Sequence, residues 1–520
     1  MQQTLSVRRQ AMVCLTGLVL ALPATGDDPR FPNRALIGTN LSGNTDYGSQ
    51  FAFVDLVKQG RPVQYAPKVF VPTIDVHGYP TALEQEAYIT LILNEYHPAG
   101  QYTVTWEGSA QVTAPRFDVV REVERTANRL VVEVQPRKGL YLHLSDMDPN
   151  DPIRNLRVRL PGGEEAPTRF NPQFLSFIRP FGTLRFMDWM ETNNSTVSSW
   201  ADRPTPAQLT FRQHGREGVP VEYMVELSNV MRADPWFCMP HLADDDYVRR
   251  FATYVRDHLD PSLRAYVELS NEVWNWNFAQ SRYARQQGEA QLGLVQGQGP
   301  HRAWYARRSV EIFKIWEEVF GGTDRLVRVI AGQGASPRIA RLSLEYEEAW
   351  KHTDALAIAP YFGFNRELIR QVDVQAESVD QVLDLAETVI ETKVAEMVRA
   401  HKALADQYDL QLIAYEAGQH LLARDERNNP QSGPKTTLFI AANRHPRMAE
   451  LYRKYLDTWF ANGGGVIAMF SSIAEPSRWG SWGMAEYLGQ PISEAHKYRA
   501  VVEAVQDPNL IGPKVSQTLP

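Results

Sequence analysis

The segment Tyr266-Val-Glu-Leu-Ser-Asn-Glu-Val-Trp-Asn-Trp276 sets the reading of the whole chain. With Ala265 in front, Ala265 to Glu272 reads as a short buried strand that ends on two polar residues, Asn271 and Glu272. It lies between two stretches of helical period. Upstream, Asp246 to His258 is amphipathic. Downstream, Tyr305 to Phe320 puts Ile312, Ile315, Trp316 and Val319 on one stripe and stops at Gly321-Gly322. The same alternation recurs along the chain. Apolar runs stand at Leu184 to Asp188, Trp236 to His241, Leu326 to Gly332, Ala355 to Tyr361, Gln411 to Glu416 and Gly465 to Ser471. Helical patterns at Ser378 to Ala405, Arg447 to Asn462 and Ser493 to Val505 fall among and after them. An eighth strand is available at Ala35 to Asn40, followed by the helix-like Phe51 to Lys58. Eight strand–helix units predict an α/β fold, a closed parallel (β/α)8 barrel. The alternative is an open doubly wound sheet, but no glycine-rich phosphate loop follows the first strand.

Residues 62–165 break the rhythm. Ala87 to Leu93, Gly100 to Trp106, Arg129 to Val134 and Gly139 to Leu144 read as β runs separated by turn residues, which fits an antiparallel β-sandwich inserted in or appended to the barrel. The expected organisation is a signal peptide at 1–26, the first barrel strand and helix at 27–61, the sandwich at 62–165, the rest of the barrel at 166–510 and a tail at 511–520. A chain of 520 residues with 43% hydrophobic and 22% charged residues has room for a large barrel plus one accessory domain.

Arg8 and Arg9 precede the apolar run Ala11 to Ala21, and Ala24-Thr25-Gly26 supplies small residues for cleavage. This reads as a secretion signal, with a membrane anchor as the alternative, and implies a secreted or periplasmic protein with no membrane contact after cleavage. Loss of residues 1–26 removes two Arg and no acid, so the net charge moves from −7 to −9. Such an acidic chain is a poor partner for nucleic acid. Cys14 leaves with the signal, and Cys238 is then alone in the apolar run Trp236-Phe237-Cys238-Met239, a core thiol rather than part of a disulfide framework. No Cys/His cluster has metal spacing.

The chemistry concentrates at strand ends. Glu272 and Asn271 close one strand, with Trp274 and Trp276 beside them. Glu416 closes another, Leu412 to Gly418. Two carboxyls of this kind are the minimum equipment for cutting a glycosidic bond, and flat rings stack on pyranose faces. With the upstream strand counted first, Glu272 ends the fourth strand and Glu416 the seventh. In this respect Glu268-Leu-Ser-Asn-Glu272 and Tyr415-Glu416-Ala-Gly418 resemble the motifs of the retaining glycoside hydrolase clan with a (β/α)8 barrel. The resemblance covers the barrel and not the sandwich. It implies that Glu272 is acid/base, Glu416 nucleophile and Asn271 the partner of the sugar 2-OH, with no metal or organic cofactor. It implies supporting roles for Arg185, His241, Tyr361, and Trp479 or Trp482, with Trp274, Trp276 and Trp189 as further stacking candidates. Each has a plainer alternative: for Arg185 an ion pair inside the barrel with Glu268 or Asp188, for His241 a satisfied core histidine, for the tryptophans the core. Val273 stands where many clan members have Pro, which points to a distant branch. Asn40-Leu-Ser42 and Asn193-Asn-Ser195 match short glycosylation sequons.

The expected function is therefore hydrolysis of a β-linked polysaccharide or oligosaccharide, endo-acting in the manner of a cellulase or hemicellulase. The alternatives are an exo-acting glycosidase such as an α-L-arabinofuranosidase, a transglycosylase, and a carbohydrate-binding protein on a degenerate barrel. Oligomeric state is not legible.

Overall fold

A computed structural model describes residues 31–372, 374, 378–426 and 433–510. The expected signal peptide and the tail at 511–520 lie outside the described residues. Eight parallel strands close into a barrel. In chain order they are β1 (Ile37–Asn40), β2 (Thr183–Arg185), β3 (Asp234–Met239), β4 (Ala265–Leu269), β5 (Leu326–Ala331), β6 (Ala355–Ile358), β7 (Gln411–Ala414) and β8 (Ile467–Met469). Closure is made by β1, which pairs Gly38 with Thr183 on one side and with Ala468 on the other. A Cβ at Gly38 would meet the Thr183 carbonyl oxygen at 2.7 Å, so only glycine fits there. Nearly every strand residue is buried, because helices cover the outside and side chains fill the inside. That is why the strands read as unbroken apolar runs rather than alternating ones.

The strands are shorter than those runs. His241, Glu272, Tyr361, Glu416 and Ser471 all lie just past the last paired residue, on the loops at the C-terminal face. Local chemistry sets the helices between them. Asp244 caps Asp245–His258 by accepting from the Tyr247 amide, and Pro300–Phe320 opens on proline and ends at left-handed Gly321. The long stretch from Ser378 is one run, Val379–Val389 and Ala395–Gln407, joined by a π turn at Ile390–Val394.

Between β1 and β2 the chain builds two antiparallel sheets. One has the order Arg154–Arg159, Gly100–Glu107, Arg129–Val134, Val119–Arg125. The other runs Val69–Phe70, Gln64–Ala66, Ala87–Ile92, Leu140–Ser145, Gln111–Thr113. Ile89, Leu91, Tyr102, Leu130, Val132 and Leu142 are buried in a core continuous with that of the barrel.

The helix expected at Phe51 to Lys58 does not form. Phe53 pairs with Phe170 and Asp55 with Arg159 in isolated bridges, and only Leu56–Gln59 turns, as a 3-10 helix. The reason is packing. The Phe53 ring meets those of Phe170, Trp189, Phe211 and Tyr223 at centroid distances from 5.3 to 6.0 Å. In extended chain Phe51 and Phe53 share a face, which a helix would not allow. The first barrel helix is instead Pro172–Ile178, beyond the insert. Cys238, on β3, is buried and unpaired.

Candidate active site

Glu272 is presented by a sharp turn. After β4, Ser270 and Glu272 both take positive φ, 58° and 43°, and the Asn275 amide closes back on the Glu272 carbonyl at 2.7 Å. The half-buried Glu272 carboxyl accepts from the Tyr415 hydroxyl at 3.0 Å and from Asn275 Nδ2 at 2.8 Å. Glu416, past β7, is buried. One of its oxygens accepts from Arg185 Nη1 at 3.2 Å and the other from the Tyr361 hydroxyl at 2.9 Å.

Arg185 ties the two tips together. It is fully buried at the end of β2. Its Nε and Nη2 donate to Glu268 Oε2 at 3.2 and 3.0 Å. Nη2 also donates to Asn271 Oδ1 at 3.0 Å, and Nη1 to Asn40 Oδ1 at 3.0 Å as well as to Glu416. Of the two readings of Arg185, the ion pair with Glu268 is present, and it fixes the fork that reaches Glu416 and Asn271. Asp188 forms no ion pair with it among the described residues. Asn271 is oriented from both ends, since its Nδ2 donates to Asn193 Oδ1 at 3.1 Å. Gln280 Nε2 donates to the same Asn193 oxygen and to the Asn271 carbonyl, at 2.7 and 2.8 Å.

Burial dominates the electrostatics. It pushes the Glu416 carboxyl up to about 8; Arg185 opposes this, the Glu272 charge adds to it, and the Tyr361 hydroxyl opposes it again. Burial also raises Glu268 against the pull of Arg185. Of the two carboxyls, only Glu416 touches a cation among the described residues, and Arg185 favours its ionised form. Glu272 has neutral partners, the Tyr415 hydroxyl and the Asn275 side-chain amide.

The aromatic candidates separate. Trp482 packs on Tyr361 at 5.7 Å, beside Glu416, and its Nε1 donates to the Trp479 carbonyl at 2.8 Å. Trp274 stands edge-on to Tyr415 at 6.3 Å. Trp276 is exposed and meets His301, away from the carboxyls. Trp189 is fully buried among Phe53, Phe174 and Phe186, so it is core and no stacking platform. His241 is buried edge-on to Tyr283, and burial lowers its pKa to about 4. Among the described residues no hydrogen bond joins it to either glutamate.

Sequence reading missed Asn40, Asn193, Asn275 and Gln280, and the role of Tyr415 toward Glu272. Their signal was weak: isolated polar residues, Asn40 at a strand end, Asn193 and Asn275 in loops and Gln280 in the helix Ala279–Leu292, two of them read as sequons. Asn40 is buried, holding Arg185 and donating to the Tyr415 carbonyl at 2.9 Å, and Asn193 is engaged with Asn271. Neither is presented for glycosylation. Beside the carboxyls, over β1, β2 and β8, opens a cleft of about 870 Å³ that Asp188, Trp479 and residues of the insert help to line. Glu272 and Glu416 are not among its lining residues. Among the described residues no group of three or more His, Cys, Asp or Glu could hold a metal ion, and no helix is long and apolar enough to cross a membrane.

No protein-family model and no curated protein matches the chain. It is similar to several solved structures. A 4-O-α-L-rhamnosyl-β-D-glucuronidase from Fusarium oxysporum 12S aligns at 11% identity over 62% of this chain and 61% of its own, with a TM-score of 0.40. A family 51 α-L-arabinofuranosidase from Bifidobacterium longum aligns at 11% identity over 65% and 67%, with a TM-score of 0.42. A GH10 xylanase from Thermobacillus composti aligns at 11% identity over 63% and 91%, with a TM-score of 0.34. The chain thus spans about six-tenths of the glucuronidase. The barrel assignment rests on the strand pairing itself.

Proposed function

We propose that this chain is a secreted retaining glycoside hydrolase that cleaves a β-linked polysaccharide or oligosaccharide, with Glu416 as nucleophile and Glu272 as acid/base. The observation that carries this reading is the shared clamp. Arg185 holds both Glu416 and Asn271, and Tyr415, next to Glu416 in the chain, reaches across to Glu272. Two carboxyls facing each other over a short span, about 5–5.5 Å, leave no room for water between them and lead to retention.

In the first step Glu416 attacks the anomeric carbon as the glycosidic C–O bond breaks, and Glu272 gives its proton to the departing oxygen. In the second, Glu272 takes a proton from water, whose oxygen attacks the same carbon and frees Glu416. Asn271 has one amide proton on Asn193 and a second left for the sugar 2-OH. Trp482, whose ring packs on Tyr361, floors the subsite next to the scissile bond in this reading. The open cleft favours an endo mode over a closed exo pocket. Secretion is supported by residues 1–26 alone.

The test is sugar release from β-glucans, xylans, mannans and aryl glycosides, including an α-L-arabinofuranoside, with product stereochemistry followed by NMR. Turnover is expected on at least one substrate, giving first the anomer of unchanged configuration. Glu416→Ala should abolish it, and Glu272→Gln should cost about 10²–10⁴-fold, less with leaving groups that need no proton. Binding without turnover in the wild type moves the reading to a carbohydrate-binding barrel. Undiminished activity in Glu416→Ala removes it from the nucleophile role.

A further inference from the structure

We propose that the inserted sandwich forms one wall of the substrate cleft, so that distal units of a sugar chain bind between it and the mouth of the barrel. The cleft of about 870 Å³ has two kinds of wall. On the barrel side stand Tyr47 after β1, Asp188 after β2 and Trp479 after β8; on the insert side stand Tyr96, Arg137 and Lys138. The volume lies near the top of the range of small-molecule sites, room for more than one ring.

A chain of side-chain contacts links the cleft to the Arg185 clamp. The Trp479 carbonyl accepts from Trp482 Nε1, the Trp482 ring packs on Tyr361, and Tyr361 donates to Glu416. A chain cut at Glu416 and running toward Trp479 must pass the insert. The wall is held in place there: the Leu93 amide donates to the Asp46 carbonyl at 2.7 Å, Asn94 Nδ2 to the Gly48 carbonyl at 3.1 Å, and Tyr96 stacks on Tyr487 at 4.5 Å.

The lining chemistry suits sugar. Tyr47 and Trp479 are flat rings 59% and 52% exposed, with the Arg478 guanidinium over the Trp479 ring at 5.1 Å. The Asp188 carboxyl lines the cleft with no hydrogen bond or ion pair among the described residues. Burial lifts it to about 7, with Glu191 adding and Arg185 opposing, so it can donate to or accept from a hydroxyl. Arg137 and Lys138 are exposed and likewise without an ion-pair partner among the described residues. Four carboxyls face three cations in the cleft, and Arg212 is already paired with Glu191 at 3.3 Å. That balance does not select an anion. It fits an uncharged, hydroxyl-rich chain.

The inference rests on the glycosidase reading for where the chain is cut, but not for whether one binds. The test is titration calorimetry of cellohexaose, xylohexaose and mannohexaose into the Glu416→Ala protein, alone and with Arg137→Ala/Lys138→Ala or Trp479→Ala added, with melting temperature as the control for folding. At least one hexaose should bind, and each added change should weaken it about tenfold, the scale of a lost charge-assisted hydrogen bond or a stacked ring. No hexaose binding, or equal binding in all three proteins, overturns the proposal. Hexaose binding that depends on the insert, in a wild type without hydrolysis, upholds it and overturns the glycosidase reading alone.

Discussion

Arg185 is a structural residue of the barrel that the proposed mechanism also uses. Its guanidinium is held by Glu268 and Asn40, and what remains of its fork is directed at Glu416 and Asn271. On the proposed mechanism the carboxyl pair must hold one proton: none leaves no acid, two leave no nucleophile. Burial raises the Glu416 titration to about 8. On the acid side kcat/KM should fall about tenfold per pH unit as pH drops below 8, where Glu416 takes up a proton and no longer attacks; rates from pH 4 to 10 check it. Tyr361→Phe removes the other donor to Glu416. The anion is then less stable, so the acid limb of the profile should move to higher pH and kcat/KM should fall about 10–100-fold, the range of one hydrogen bond to a charge. A Tyr361 that served only packing would leave the acid limb where it was. The tips of β4 and β7 were legible because a polar residue that ends a buried apolar run has few other reasons to be there. The residues that orient them, Asn40, Asn193 and Gln280, were not. A hydrogen bond between positions distant in the chain leaves no pattern in either sequence segment.

The turn after β4 carries strain to its task at the level of the element. Ser270 takes φ 58°, and its buried hydroxyl has no partner among the described residues. Left-handed backbone costs an L residue about 1–2 kcal/mol, of which glycine's extra freedom in the unfolded chain offsets about 0.5–1. Ser270→Gly should therefore stabilise the fold by about 0.5–1 kcal/mol, seen as a higher denaturant midpoint at an unchanged slope, with activity retained if the Glu272 turn is kept. All eight barrel strands were legible as elements, because a parallel strand covered on both faces must be apolar throughout. Helices with their own stop signals, such as the one ended by Gly321, were equally plain. Phe51 to Lys58 misled for a physical reason. Its seven residues from Phe51 to Val57 are all buried, so no polar face remained to reveal the period, and the aromatic partners that hold it extended come from beyond the insert.

At the scale of the whole molecule, the same extended segment decides how the sandwich and the barrel stand to each other. Phe53 sits where they meet. Its backbone bridges to Phe170, and the Leu160 amide at the end of the sandwich donates to the Val54 carbonyl at 3.0 Å. Asp55 accepts from the Val158 amide at 3.0 Å, while the Phe53 ring packs on Trp189 and Tyr223 of the barrel side. A second seam, through Leu93, Asn94 and Tyr96, lies under the cleft. Two seams and one shared core make the insert part of the barrel's cooperative unit rather than a tethered module. Amide hydrogen exchange across a denaturant series should then show the core strands Ala87–Ile92 and Arg129–Val134 losing protection at the same concentration as β4 and β7. Phe53→Ala deletes a fully packed aromatic ring, at a cost of about 3–5 kcal/mol. It should lower the denaturant midpoint of both sets of amides together. Sandwich amides that open at lower denaturant than the barrel, in the wild type, would show the seams to be weaker than the packing implies. The insert would then form a wall that moves independently of the catalytic tips.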